Sequence, residues 1–160
     1  MWRKASRFML ALVVLFALGC ADRPQDEAPA AEEPEETAEQ APVTLSATLT
    51  GAEEVPGPGD DDGSGTASIT LNPEQGEVCF EITVSDIEEA TAAHIHVGAA
   101  GASGGPAVNL DVATHGLSGC VSGVASDVIA QILENPSAYY LNVHNAEYGA
   151  GAVRGQLAAM

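Results

Sequence analysis

The sequence predicts an all-β domain: an antiparallel β-sandwich of about eight short strands with one short helix, placed after an export signal and an acidic tether. Three observations predict it. Short runs that alternate apolar and polar residues recur from Val43 to Leu157, and successive side chains of an extended strand point to opposite faces. The connections between these runs carry Gly57-Pro58-Gly59, Asn72-Pro73, Gly98 to Pro106 and Tyr148-Gly149-Ala150-Gly151, the punctuation of an all-β chain. Only one segment has helical spacing instead.

Taken in order, strands are expected over Val43-Thr50, Gly65-Leu71, Glu77-Ser85, Ala92-Val97, Ala107-Val112, Ser118-Val124, Ala138-Asn145 and Ala152-Leu157. The helix is expected over Ser126-Leu133, where Val128, Ile129, Ile132 and Leu133 form one apolar stripe. Ser126 or Asp127 could cap its start, and Asn135-Pro136 ends it because the residue before a proline is pushed out of helical geometry.

Residues 1–19 read as a secretory signal. Arg3, Lys4 and Arg7 precede an unbroken apolar run from Phe8 to Leu18, which is too short for a permanent membrane-spanning helix. Ala17-Leu18-Gly19-Cys20 resembles a bacterial lipobox, with Ala17 where leucine is usual. That resemblance implies cleavage before Cys20 and a lipid on the cysteine. The chain is thereby expected outside the cytoplasm, anchored to the cell membrane or the outer membrane. The alternative is an ordinary cleaved signal. Residues 20–42 are dominated by Ala, Pro and Glu and lack aromatic residues. Such a segment cannot bury enough surface to offset its ordering entropy and is expected to be an extended tether. The domain is residues 43–160, a size that buries a single core.

All 23 acids lie beyond residue 20, where Arg23 and Arg154 are the only lysine or arginine residues. Nucleic acid and anionic lipid surfaces both need a basic footprint, so neither is an expected partner. Cys79 and Cys120 fall in strand-like runs of an exported chain, and a disulfide between them is the expected pairing. The loop would add roughly 3–4 kcal/mol on the chain-entropy model. Two buried free thiols are the alternative. No CxxC or zinc-type spacing is present.

Four blocks then occur in order: Leu49-Thr50-Gly51-Ala52-Glu53-Glu54-Val55-Pro56, Thr91-Ala92-Ala93-His94-Ile95-His96-Val97-Gly98, Tyr140-Leu141-Asn142-Val143-His144-Asn145, and Gly151-Ala152-Val153-Arg154-Gly155-Gln156-Leu157. Together they resemble the CHRD domain, named from chordin and widespread in secreted bacterial proteins. The resemblance implies an extracellular immunoglobulin-like sandwich, and it suggests a non-enzymatic module that binds an envelope protein or glycan. Val97 stands where a glycine often follows the second histidine, and the Gly57-Asp62 loop is unusually acidic.

His94 and His96, two apart on a strand, share a face, and His144 lies on another strand segment. Three imidazoles meeting at one point suit copper or zinc. The same His-x-His strand pattern serves copper in copper/zinc superoxide dismutases, an analogy of pattern only. Glu54 could add an oxygen ligand or a hydrogen bond behind the ligands. The alternative is a polar cluster bonded to Asn142 and nearby backbone that holds two strands in register. His115 falls in loop-like sequence and is not an expected ligand. Arg154, the only arginine or lysine among the fifteen acids of the domain, is expected to pair with Glu54 or Asp86. Asp60-Asp61-Asp62-Gly63 lacks the spaced ligands of a calcium loop and reads as a solvated turn. No nucleophile–base set or paired-carboxylate motif is visible.

Overall fold

A computed structural model describes residues 40–160. The signal segment, Cys20 and the tether up to residue 39 lie outside the described residues. Among the described residues nine strands form one antiparallel sheet: β1 (Val43–Thr50), β2 (Ser64–Asn72), β3 (Glu77–Ser85), β4 (Ala90–Val97), β5 (Pro106–Asn109), β6 (Ser118–Ser122), β7 (Tyr139–Asn145), β8 (Val153–Gln156) and β9 (Ala158–Ala159). The spatial order is β5-β4-β7-β8-β1-β2-β3-β6, with β9 pairing β1. This nearly closed, all-β architecture wraps one apolar core.

Alternation explains which face goes inward. In β1 the buried residues are Leu45, Ala47 and Leu49; in β2 they are Ala67, Ile69 and Leu71; in β3 they are Val78, Phe80 and Ile82. Register then stacks them, with Leu45 opposite Ile69 and Ile69 opposite Phe80. A slip of one residue would turn each of these sets to solvent.

The helix, α2 (Ser126–Glu134), places Ile129 and Ile132 in the core. Its N-cap is Ala125 rather than Ser126 or Asp127, which fall within the first turn. Asp127 there still complements the partial positive charge of the helix start. The strand expected over Ala107-Val112 stops at Asn109. Asp111 adopts φ +47°, its amide donates to Oδ1 of Asn109, and the chain enters a short helical turn, α1 (Val112–His115). An aspartate tolerates this left-handed backbone where a branched residue would not. His115, at the end of α1, meets Phe80 edge-on at 6.5 Å. The strand expected to run to Val124 stops at Ser122, and the next residue, Gly123, has φ +77°.

Cys79 and Cys120 lie directly opposite each other in β3 and β6 and are joined by a disulfide. The bond fastens the edge strand β6 to its neighbour.

Candidate metal centre

β4 and β7 build the site. His94 lies opposite Asn142 in their register, His96 opposite Tyr140, and Ala92 opposite His144. Strand alternation therefore puts His94 and His96 on the same face as Tyr140, Asn142 and His144. Tyr139, Leu141 and Val143 point into the core. Tyr140 and Asn142 are also buried, so β7 is covered on both faces, one apolar and one polar.

The three imidazoles converge. Each offers a nitrogen within 4.8 Å of those of the other two, and all three residues are half-buried. Ring centroids lie 5.0 Å apart for His94 and His144, 5.5 Å for His94 and His96, and 6.2 Å for His96 and His144.

Backbone carbonyls fix how two of the rings present themselves. Nδ1 of His96 lies 2.9 Å from the carbonyl oxygen of Gly104, and Nδ1 of His144 lies 3.1 Å from that of Gly149. A carbonyl only accepts, so both Nδ1 atoms carry the hydrogen and both Nε2 atoms keep a lone pair. Nδ1 of His94 sits 3.1 Å from Nε2 of His144 and donates to it. Nε2 of His96 is buried with no partner among the described residues. A second hydrogen bond that orients the ring is the usual support behind a metal-bound histidine. Burial, followed by the mutual proximity of the rings, pushes the His94 imidazole below its ordinary titration range. His144 is lowered too, first by burial, with the Gly149 hydrogen bond acting in the opposite direction. Neutral imidazole is the form that binds metal.

A family model for the CHRD domain matches residues 45–157. The chain belongs to the CHRD domain family. No curated protein and no solved structure matches it.

Within the CHRD domain, Arg154 does something different from the expected ion pair. It is 1% exposed, and Nη2 donates to the carbonyls of Ala99 and Ala102 and to Oε1 of Gln156. Its Cζ lies 3.5 Å from the centroid of the Tyr140 ring. Tyr140 in turn stacks on His96, with centroids 5.0 Å apart and planes 11° apart. Neutral oxygens thus replace the carboxylate predicted from Glu54 or Asp86; Asp86 is exposed at the end of β3. The physical reason is the loop 98–105, which turns its carbonyls down onto the sheet at the guanidinium. Arg154 therefore pins the loop that carries Gly104, the residue holding His96.

Glu54 is 7% exposed and accepts a hydrogen bond from Nδ2 of Asn142. Burial pushes its carboxyl up to about 7, with the Arg154 charge and a backbone hydrogen bond from Val55 pulling the other way. Arg154 is thus felt by Glu54 as a field without a direct bond. Two glycines permit this burial: a methyl group at Gly59 would sit 2.6 Å from Cγ of Glu54, and one at Gly151 would collide with Nδ2 of Asn142. Glu54 lies outside the converging ligand set, and Asn142, expected to bond the histidines, bonds Glu54 instead.

Cys79 and Cys120, grouped with Glu77, are engaged in the disulfide and offer no thiolate. Sequence reasoning missed the carbonyls of Gly104 and Gly149 and the role of Tyr140. The parity of Tyr140, Asn142 and His144 on one strand was the available signal for Tyr140. Nothing in the sequence marks the two carbonyls.

Proposed function

We propose that this is an exported, lipid-anchored CHRD module that binds one copper or zinc ion through His94, His96 and His144. The observation that carries the reading is the lone pair on Nε2 of His96, buried without a partner beside two further imidazole nitrogens. A buried acceptor without a partner is costly, and a cation would remove that cost. The spacing also suits an ion. Two nitrogens each 2.0–2.1 Å from a tetrahedral zinc lie ~3.3 Å apart, against 3.1 Å between His94 and His144. Metal entry would therefore replace the shared hydrogen with little movement, the displaced proton passing through solvent to Nε2 of His94.

Calorimetric titration of residues 43–160 with zinc and with copper(II) tests this. One ion per chain is expected, with binding abolished in His96→Ala. If neither ion binds stoichiometrically, or if the variant binds equally well, the cluster is a fastening between β4 and β7. The module would then act through an envelope protein or glycan instead. If copper binds, a redox assay on the loaded domain separates a carrier from a dismutase-like enzyme.

A further inference from the structure

We infer that the three-histidine centre leaves one coordination position open, so that the bound ion carries an exchangeable small donor: water or hydroxide, replaceable by a small anion. The inference rests on the metal reading above and names what that site would take from solution.

The argument is an accounting of donors. Hydrogen bonds to Gly104 and Gly149 occupy Nδ1 of His96 and of His144, so each of these rings has only Nε2 to give. His94 supplies one further nitrogen, which makes three from the protein. Of the polar groups bordering the cluster, Oδ1 of Asn142 is buried without a partner among the described residues, but an amide oxygen suits copper or zinc less well than imidazole; the others are engaged. Oε1 of Glu54 accepts from Asn142. The Tyr140 hydroxyl faces the amide and carbonyl of Gly104. The carbonyls of Gly104 and Gly149 face the two imidazoles. Among the described residues no other histidine, cysteine, aspartate or glutamate joins the converging set.

Structural zinc sites are closed by four protein ligands, whereas sites with three keep a position for water or a reactant. The three histidines are half-buried rather than sealed. Beyond Gly149, whose carbonyl holds His144, there is open space where a side chain would stand.

The test loads residues 43–160 with one equivalent of copper(II), the divalent first-row ion that nitrogen sites bind most strongly, and titrates it with azide. A new azide-to-copper charge-transfer band is expected, saturating at one azide per copper, together with a change in the copper electron paramagnetic resonance spectrum. His96→Ala, treated identically, should show neither. A loaded protein whose spectra do not respond to excess azide would overturn the open position while leaving metal binding intact. Failure to take up copper, or equal uptake and response in His96→Ala, would instead remove the metal reading and this inference with it.

Discussion

Nδ1 of His94 on β4 lies 3.1 Å from Nε2 of His144 on β7, though the residues are fifty positions apart. They are diagonal neighbours across one antiparallel pair, which brings their rings together on the polar face of the sheet. A cation bound only by this folded arrangement stabilises the fold by mass action. At free zinc one hundred times the dissociation constant the gain is about 2.7 kcal/mol. The melting temperature should rise by several degrees with zinc, return to its starting value with a chelator, and be insensitive to both in His144→Ala. Equal melting temperatures with and without zinc would argue against the site.

Glu54 gives the fold an unusual pH dependence. Its carboxyl titrates near 4.5 when unfolded and at about 7 when folded. Between these values the folded state binds more protons, so stability falls as pH rises through that window. The full cost above pH 7 is about 3 kcal/mol. Glu54→Gln keeps the acceptor for Asn142 and removes the charge. It should match the parent near pH 4.5 and exceed its stability at pH 8, as read from urea unfolding at each pH. A stability difference that does not change with pH would count against the buried carboxyl.

The histidines contribute with the opposite sign. His94 and His144 both titrate below the ordinary 6.5 in the folded state, so the unfolded chain binds the extra protons. Their contribution is complete above pH 6.5 and is lost as pH falls below it. In metal-free Glu54→Gln, where the carboxyl no longer masks it, stability should decline on acidification from pH 6.5. Replacing His94 and His144 together by glutamine in that background should flatten the slope. An unchanged slope would place its origin elsewhere.

Arg154→Lys should loosen the loop over the site. A lysine cannot reproduce a planar guanidinium that lies on Tyr140 while donating to two carbonyls. The cost should be roughly 2–4 kcal/mol, with faster amide hydrogen exchange over residues 98–105. Weaker metal binding should accompany it, because Gly104 on that loop holds His96. Unaltered exchange in the loop would contradict the anchoring role.

Removing the disulfide should cost stability without touching the proposed metal centre. The bridge spans 41 positions, worth about 4 kcal/mol on the chain-entropy model. It ties β3 to β6, whereas the histidines lie on β4 and β7. Cys79→Ser/Cys120→Ser should therefore unfold at lower urea yet bind metal with unchanged affinity. An unchanged urea midpoint would refute the stabilising role, and a loss of metal binding would refute the separation of the two sites.

Much of this molecule is legible in its sequence alone. Period-two alternation placed His94 and His96 on one face and marked the runs that form β1 to β3. The two strand-borne cysteines pointed to their pairing. Legibility failed where the chain leaves its periodic elements. Asp111 turns left-handed and ends β5 early, a backbone choice that the apolar pattern of Val108 to Val112 does not encode. Arg154 was assigned a carboxylate because charge is visible in sequence and carbonyl direction is not. Its partners, Ala99 and Ala102, are unremarkable residues made important by how loop 98–105 folds back. The same holds for Gly104 and Gly149, which decide through their carbonyls which nitrogen each histidine can offer.

The most direct test of the metal centre is a crystal of residues 43–160 grown with one equivalent of zinc and recorded at the zinc absorption edge. A single anomalous peak is expected, within roughly 2.0–2.1 Å of one nitrogen each from His94, His96 and His144. No peak at that position, or a peak only among exposed carboxylates such as Asp61 and Asp62, would contradict the account.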